Sequence, residues 1–210
     1  MIRSSRWIAP DEPLAQPRPC VFIDKDGTLV RNVAHNVDAS RIEFMPRALQ
    51  ALRRLADGGY LLVLVTNQPG LAEGRFSRAD YGELLRALSR RLRDEAGLAF
   101  AGVYTCGHAP GPDGRPACLC RKPAPGLLKQ AAVSLRLDLA RSWMVGDILD
   151  DIEAGRRAGC RTVLVDVGNE TQWKRGPMRE PHVVCHDLLE AAQAIASARQ
   201  APPARQPQPA

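Results

Sequence analysis

The sequence contains no apolar run long enough to cross a membrane. Its longest uninterrupted apolar stretch covers residues 61–65, whereas a membrane-spanning helix needs about 20 apolar residues. The amino-terminal stretch MIRSSRWIAPDEPLAQPRP has neither the apolar core nor the small-residue cleavage site of a secretory signal. We therefore expect a cytoplasmic protein with no membrane partner. Thiols stay reduced in that compartment, so clustered cysteines are interpreted first as metal ligands.

A long basic run is also missing, which argues against a nucleic-acid partner. The net charge is +6. Residues 1–19 contribute +1 (three Arg against one Asp and one Glu) and residues 199–210 contribute +2 (two Arg), which leaves +3 for the segment between them. Arg86, Arg90 and Arg93 share one face of a predicted helix, but such a row is typical of a solvated helix face. We therefore expect no nucleic-acid partner.

The two ends of the chain are poor in residues that can form a core. The first 19 residues contain four prolines, and the chain ends in QAPPARQPQPA, which is almost entirely Ala, Pro and Gln. We therefore expect a flexible amino-terminal segment over residues 1–19 and a disordered tail over residues 199–210. Residues 20–198 are enough for one domain with a sizeable core.

Within residues 20–198, apolar runs alternate with helical patterns. This alternation predicts an α/β fold with a doubly wound parallel sheet that carries helices on both faces. In such sheets ligands bind at the carboxyl ends of the strands, so the polar residues that end the strands are the candidates for a site. Strands are predicted at residues 20–24, 60–67, 101–106, 142–147, 160–167 and 182–187, and helices at 45–59, 77–96, 125–137, 149–158 and 187–198.

The first predicted strand ends in DKDGT, which places two carboxyl groups on either side of one residue. Two carboxyl groups this close together in the sequence suit a division of labour. Asp24 can attack an electrophile or bind a metal, and Asp26 can act as acid and base. Gly27 allows a tight turn. A solvated Asp-Gly turn also explains this motif when it is taken alone.

Two more polar motifs follow predicted strands. In TNQPG, Thr66 and its neighbours offer neutral donors to an oxyanion, although a simple turn also explains this motif. Asp147 ends the strand WMVGD, and together with Asp24 it supplies carboxylates of the kind that Mg²⁺ binds. Asp150 and Asp151 follow Asp147, and they can instead merely charge the first turn of the next helix.

A basic pair, Arg121 and Lys122, precedes the third predicted helix. Lysine is a point charge suited to a transferring phosphoryl group, and arginine can hold a second anion in a bidentate way. Two adjacent basic residues mean little in isolation. Together, however, the four motifs provide a nucleophile, an acid and base, a hydroxyl donor, a cation and a metal carboxylate. This combination predicts phosphoryl transfer through an aspartyl-phosphate.

Three cysteines and one histidine form two close pairs just before the basic pair. The pattern is Cys106-x-His108, nine residues, then Cys118-x-Cys120. Three thiolates and one imidazole complete a tetrahedral Zn²⁺ site, and with no position left for water such a site is structural. Unrelated surface cysteines in a loose loop are the alternative. We predict a zinc-binding loop over residues 106–120.

DKDGT, TNQ, RKP and GDILDD occur in the order and context of the four motifs of the haloacid dehalogenase superfamily, which the chain resembles over residues 20–190. The resemblance implies a Rossmann-like fold and assigns Asp24 as the nucleophile and Asp26 as the general acid and base. It also implies that Mg²⁺ is bound by Asp24, the backbone carbonyl of Asp26 and Asp147, while Thr66 and Lys122 hold the transferring phosphoryl group. Aspartate at position 26 resembles the phosphatases rather than the ion-pumping ATPases of the superfamily.

Within the superfamily, the C-x-H…C-x-C loop that leads into RKP resembles the heptose-1,7-bisphosphate 7-phosphatases and the related histidinol-phosphate phosphatases. Both families lack a large cap domain, and this chain has no insertion long enough for one. The stretch TNQPGLAEGRF resembles the heptose enzymes, although Ile148 stands where they typically have a basic residue. The resemblance implies substrate contacts by Asn32, His35, Asn67, Gln68, Pro69, Arg121 and Lys122.

The resemblance therefore implies a Mg²⁺-dependent phosphatase that contains structural Zn²⁺ and removes the 7-phosphate of D-glycero-D-manno-heptose 1,7-bisphosphate, a small sugar bisphosphate. This reaction would serve nucleotide-heptose synthesis for lipopolysaccharide. We expect the protein to be a monomer. A histidinol-phosphate or other small sugar-phosphate phosphatase is the enzymatic alternative. A DNA 3′-phosphatase and a non-catalytic zinc module are the alternatives from other classes. The absence of a GxxxxGK[ST] motif and the small charge of the domain speak against a DNA-processing enzyme.

Overall fold

The computed structural model of the chain describes residues 16–111 and 117–200. Six strands form one sheet in the order β3-β2-β1-β4-β5-β6, and every neighbouring pair is parallel. The strands are β1 (Cys20–Ile23), β2 (Leu61–Asn67), β3 (Gly102–Cys106), β4 (Trp143–Gly146), β5 (Arg161–Val165) and β6 (Val183–Cys185). The helices are α1 (Ala48–Asp57), α2 (Arg78–Ala96), α3 (Gly126–Leu135), α4 (Leu149–Ala158) and α5 (Leu188–Gln200).

Helices cover both faces of the sheet, which confirms the predicted doubly wound architecture. Side chains of β1 alternate between the two faces, as the two-residue period of a strand requires. Val21 and Ile23 pack into a core that also receives the buried side chains of α1, α2 and α5. Cys20 and Phe22 pack into a second core with the buried side chains of α3 and with Ala154 and Ala158 of α4. Because both faces are covered, the central strands are apolar along their whole length.

Local sequence signals fix the ends of the longest helix. Ser77 and Asp80 form a capping box at the start of α2, in which each side chain accepts a hydrogen bond from the backbone N–H of the other residue. Gly97 follows the last turn with φ 60°, a left-handed conformation that costs glycine least. The predicted helix over residues 77–96 therefore agrees with the structure to within one residue.

Hydrogen-bonded backbone is present just before β1 and to the end of α5. Arg18 pairs with the segment around Leu137: its N–H donates to the carbonyl of Arg136 at 3.1 Å, and its carbonyl accepts from Asp138 at 3.0 Å. At the other end, α5 continues to Gln200. The rest of both predicted tails, residues 1–15 and 201–210, lies outside the described residues, as do residues 112–116 of the predicted zinc loop.

No helix in the described part of the chain combines the length and the apolar character that a membrane crossing requires. This finding agrees with the short apolar runs of the sequence.

The chain order of the strands places a crevice at the centre of the sheet. From β1 the chain moves outward to β2 and β3 on one side, and from β4 it moves outward to β5 and β6 on the other. The connections therefore leave β1 and β4 in opposite directions, which opens a crevice beyond their carboxyl ends. Asp24 follows β1 directly and Asp147 follows β4 directly.

Candidate active site

Three buried carboxyl groups converge in the crevice beyond β1 and β4. They belong to Asp24, Asp147 and Asp151, which are 7%, 4% and 0% exposed, and one carboxylate oxygen from each lies within 4.8 Å of those from the other two. Asp151 lies in the first turn of α4, so its side chain points back toward the end of β4. Gly146 makes this approach possible, because a β-carbon at that position would lie 2.3 Å from the side chain of Asp151.

One buried ammonium group lies between two of these carboxylates. The Nζ atom of Lys122 is 2.5 Å from an oxygen of Asp24 and 2.5 Å from an oxygen of Asp151. It also donates to the carbonyl of Val65 at 3.4 Å. When ionised, the three carboxylates carry three negative charges against one positive charge. A site with this imbalance needs a further cation or protons, because like charges in a buried site repel strongly.

The excess of negative charge is reflected in the pKa values of the buried groups. Burial raises the pKa of Asp24 to about 7, although the Lys122 ammonium opposes the rise. Burial, followed by repulsion from Asp24, raises the pKa of Asp147 to about 6. Asp151 is also raised to about 6 by burial, against the opposing charge of Lys122. Burial lowers the pKa of Lys122, but Asp151 and Asp24 outweigh this effect, so its pKa is raised and the group stays protonated.

The donor set fits Mg²⁺. Carboxylate oxygens are hard ligands, and Mg²⁺ in enzymes usually takes one or two of them together with water and substrate phosphate. A divalent cation would neutralise the two negative charges that Lys122 leaves uncompensated.

A fourth carboxylate, that of Asp26, lies near this cluster and is held by two donors. Lys25 Nζ is 2.6 Å from one oxygen of Asp26, and Gln68 Nε2 donates to the other at 2.7 Å. The same Gln68 amide donates to Thr66 Oγ1 at 3.0 Å. Gln68 therefore links the predicted acid and base to the hydroxyl predicted to hold the phosphoryl group, a contact that the sequence pattern did not indicate.

A cavity of about 240 Å³ opens above Asp24 and Asp26. It brings together the predicted nucleophile, the predicted acid and base, and most of the predicted substrate contacts. Arg121 is the exception: it does not line this cavity, and its guanidinium donates to the carbonyl of His108 at 3.4 Å. The lining residues are Asp24, Lys25, Asp26, Asn32, Val33, Ala34, His35, Asn36, Thr66, Asn67, Gln68, Pro69, Lys122 and Ile148.

The cavity wall formed by residues 32–36 packs closely on the turn after β2. His35 has φ 53°, an uncommon conformation for a residue with a side chain. Its Nδ1 would lie 2.9 Å from a β-carbon placed on Gly70, and the Phe76 ring would lie 2.5 Å from that β-carbon. Glycine at position 70 therefore lets the two walls of the cavity approach each other.

The four residues predicted to bind zinc do converge. Sulfur–sulfur distances among Cys106, Cys118 and Cys120 are 3.3–3.7 Å, and His108 Nδ1 is 3.5 Å from Cys106 Sγ and 3.2 Å from Cys120 Sγ. These separations are far longer than a disulfide of about 2.05 Å. They are close to the edge of about 3.7 Å expected for a tetrahedron with Zn–S bonds of about 2.3 Å. The donor set and its spacing therefore fit Zn²⁺.

Hydrogen bonds connect the Cys/His cluster to the segments that carry Lys122 and Gln68. The N–H of Arg121 donates to Cys118 Sγ at 3.3 Å, one residue before Lys122. The side chain of Asn67 donates to the carbonyl of Lys122 and accepts from its N–H, both at 3.1 Å. On the other side, the N–H of Gln68 donates to the carbonyl of Cys106 at 2.7 Å. Asn67, predicted as a substrate contact, thus also fixes the backbone of Lys122.

Sequence reasoning missed three residues of the site. Asp151 was assigned only a possible role in the first turn of α4, yet it is the second carboxylate paired with Lys122. Thr28 Oγ1 donates to Asp147 at 2.7 Å, and Asn169 Nδ2 donates to the same carboxylate at 2.7 Å. Asp151 follows Asp147 by four residues, in the first turn of the helix that comes after β4, and this short spacing is a usable signal. No local signal identifies Asn169, which lies in the loop after β5.

Comparison with protein families matches residues 119–191 to the HAD-hydrolase-like family. Among curated proteins, a D-glycero-beta-D-manno-heptose-1,7-bisphosphate 7-phosphatase from Haemophilus ducreyi is 41% identical over 156 residues, which cover 72% of this chain and 85% of that protein. The protein of the same name from Escherichia coli K12 is 38% identical over 161 residues, covering 74% of this chain and 83% of that protein.

Solved structures give a consistent result. The D,D-heptose 1,7-bisphosphate phosphatase from B. bronchiseptica, crystallised with magnesium and phosphate, superposes with a TM-score of 0.75 at 32% sequence identity. The alignment covers 86% of this chain and 99% of that one.

Proposed function

Because the chain belongs to the D-glycero-D-manno-heptose-1,7-bisphosphate 7-phosphatases of the haloacid dehalogenase superfamily, we infer that it hydrolyses the 7-phosphate of a heptose 1,7-bisphosphate. The observation that carries the chemistry is the cluster at the ends of β1 and β4. There, Asp24 lies buried beside the Lys122 ammonium and within reach of Asp147, and Asp26 stands next to it on the same cavity. The product is a precursor for lipopolysaccharide heptose.

In the first half of the reaction, a carboxylate oxygen of Asp24 attacks phosphorus and the bond from phosphorus to the sugar oxygen breaks. Asp26, protonated, donates its proton to the leaving oxygen. Lys122 and Thr66 stabilise the charge that develops on the phosphoryl oxygens. Lys122 is already placed for this role, because its ammonium contacts both Asp24 and Asp151.

In the second half, Asp26 is a carboxylate and takes a proton from water as the water oxygen attacks the aspartyl-phosphate. The bond between phosphorus and Asp24 breaks, and inorganic phosphate leaves. Lys25 and Gln68 hold the two oxygens of Asp26, which limits its motion between the two proton transfers. Mg²⁺ would be held by Asp24, Asp147 and the backbone carbonyl of Asp26. When bound, it supplies positive charge that stabilises the phosphoryl oxygens.

Phosphate release from a panel of substrates tests the substrate assignment. We expect kcat/KM for heptose 1,7-bisphosphate to exceed that for histidinol phosphate by at least about a hundredfold, since unpaired polar groups in a site penalise the wrong ligand heavily. Hexose 6-phosphates serve as further comparisons. Equal and low rates on all substrates would contradict the heptose assignment, and a preference for histidinol phosphate would replace it.

We further propose that Zn²⁺ bound by Cys106, His108, Cys118 and Cys120 holds the backbone that carries Lys122. The hydrogen bond from Arg121 N–H to Cys118 Sγ supports this, as does the bond from Gln68 N–H to the Cys106 carbonyl. In this arrangement the metal does not contact substrate. It would restrict the loop between β3 and α3 and so keep the ammonium of Lys122 facing the cavity. Gln68, which follows β2, would be held through its backbone hydrogen bond to Cys106.

Loss of zinc should therefore lower catalysis without removing the catalytic metal. For Cys118→Ser, which replaces one ligand, we expect kcat/KM to fall by about tenfold or more at saturating Mg²⁺, in line with the usual cost of disturbing the surroundings of a site. Zinc content is measured by atomic absorption. Cys185→Ala is the matched control, because Cys185 lies in β6, away from the cluster. Normal turnover by a zinc-free, Mg²⁺-replete variant would refute this role.

A further inference from the structure

We propose that Asn169, in the loop after β5, is a positioning residue that orients Asp147 toward the divalent cation, and that Glu170 keeps Asn169 in place. This inference rests on the metal site of the proposed function. It adds to that site a residue far from the four sequence motifs, on a loop that contributes no residue to the lining of the cavity described above.

Both carboxylate oxygens of Asp147 are already held by neutral hydrogen-bond donors. Thr28 Oγ1 donates to Oδ1 at 2.7 Å, and Asn169 Nδ2 donates to Oδ2 at 2.7 Å. Each carboxylate oxygen has two lone-pair directions, so one direction on each remains for a cation. Because each oxygen has its own donor, the carboxylate cannot rotate about the Cβ–Cγ bond without losing a hydrogen bond. Neutral donors fix its orientation and, unlike Lys122, leave its negative charge uncompensated.

The absence of a side chain at Gly27 leaves space for the contact between Asn169 and Asp147. Gly27 has φ 89°, and a β-carbon on it would lie 2.3 Å from Asp147 Oδ2 and 2.4 Å from Asn169 Nδ2. The glycine of the DKDGT motif thus does more than allow a turn. It leaves open the volume in which the amide of Asn169 reaches the carboxylate of Asp147.

Glu170 holds the segment that carries Asn169 against α4. One carboxylate oxygen of Glu170 accepts from the N–H of Leu149 at 2.8 Å. The other accepts from the N–H groups of Gln172 at 2.9 Å and Trp173 at 3.3 Å. The residue that caps α4 is Ile148, whose side chain cannot accept a hydrogen bond, so Glu170 supplies a carboxylate at this helix N-terminus from a different loop.

The far end of the same loop is also attached to α4. Arg179 Nη1 is 2.9 Å from Asp150 Oδ1 and 2.6 Å from Glu153 Oε2. The segment from Asn169 to Arg179 is therefore tied at both ends to the helix that follows the metal-binding strand. An amide held in this way can orient a metal ligand, because it does not have to be ordered when the cation binds.

Cation binding measured without substrate separates positioning from a merely structural role. Asn169→Leu keeps the approximate size of the side chain and removes its donor. We expect its Mg²⁺ dissociation constant, by isothermal titration calorimetry, to rise by about tenfold or more. We also expect activity to recover toward the unmodified value as Mg²⁺ is raised. Melting temperatures in EDTA verify that each variant is folded.

Three further variants make the result decisive. Thr171→Ala, an exposed change in the same loop, should leave Mg²⁺ affinity unchanged. Glu170→Gln should weaken Mg²⁺ binding in the same direction as Asn169→Leu but less, and it replaces that variant if Asn169→Leu does not fold. Asp147→Asn should abolish binding.

Unchanged Mg²⁺ affinity in Asn169→Leu, or an equal loss in Thr171→Ala, would overturn the role of Asn169 while leaving the proposed function intact. Unchanged affinity in Asp147→Asn would overturn the metal site itself and the role of Asn169 with it.

Discussion

Replacement of Asp24 by asparagine should abolish phosphatase activity, by roughly four to six orders of magnitude, as removal of a nucleophile that works with its neighbours typically does. The amide of asparagine cannot form the aspartyl-phosphate. Steady-state phosphate release at saturating Mg²⁺ measures the effect, and mass spectrometry after a brief exposure to substrate should detect phosphorylated protein only in the unmodified chain.

The same variant should fold at least as stably in EDTA. Asp24 is 7% exposed, and its pKa is raised to about 7 by burial despite the opposing charge of Lys122. Asparagine removes one negative charge from a cluster that contains an excess of them, and Lys122 keeps its contact with Asp151. Thermal unfolding in EDTA checks this point. A large fall in melting temperature would show that Asp24 is mainly structural.

Asp94→Asn is the matched control for Asp24→Asn. Asp94 is an exposed carboxylate on α2 and does not line the cavity. We expect its activity to stay within about threefold of the unmodified protein, since surface substitutions usually have small effects. Comparable losses in both variants would contradict the assignment of Asp24 as the nucleophile.

Replacement of Lys122 by methionine should reduce both activity and stability. Without its ammonium, the developing charge on the phosphoryl group loses its principal protein cation, which costs about 10²–10³ in kcat. In the folded protein, Asp24 and Asp151 would remain buried without their partner. Breaking a buried ion pair in this way costs about 3–5 kcal/mol of unfolding free energy. Urea unfolding in EDTA measures this loss.

The stability loss of Lys122→Met should depend on pH in a defined direction. Burial raises the pKa of Asp24 to about 7 and that of Asp151 to about 6, from an ordinary value of 3.8. Without Lys122 both pKa values rise further, so the folded variant binds protons that the unfolded chain releases above pH 4 or so. Stability of the metal-free variant should therefore increase as the pH falls from 8 to 5.5.

A double variant distinguishes the catalytic role of Lys122 from its structural role. Lys122→Met with Asp151→Asn removes the ammonium together with the carboxylate that only positions it. We expect this pair to regain part of the unfolding free energy and none of the activity. Recovery of activity would show that Lys122 acts on the fold alone. An unfolding free energy equal to that of the single variant would show that Asp151 is not the partner that makes Lys122 necessary.

Some residues of the site lie at strand ends, and others are brought in by contacts between distant segments. The sequence predicted the first kind much better than the second. Four of the residues lie at or directly after the ends of apolar strands: Asp24, Asp26, Thr66 and Asp147. Because strands alternate with helices, the sheet is parallel and these strand ends meet at one edge. The Cys/His cluster was predictable for a similar reason, because its ligands form two tight pairs in one loop. The expected monomeric state and cytoplasmic location stay predictions.

Contacts between distant segments were not predictable in the same way. Lys122 and Asp151 are 29 residues apart, and Asn169 is 22 residues from Asp147. No periodic pattern links either pair. Arg121 shows the reverse case, since it is adjacent in sequence to Lys122 and yet its guanidinium turns toward His108 rather than into the cavity.

Local patterns predicted the fold class, the four polar motifs and the Cys/His cluster, because strand and helix periods and short spacings are local properties of the chain. Three contacts became visible only in the folded chain: Asp151 pairs with Lys122, Gln68 joins Asp26 to Thr66, and Asn169 reaches Asp147. Those contacts depend on how loops pack over the ends of the strands. There, burial makes each unpaired charge costly, and so the packing decides which partner each charge has.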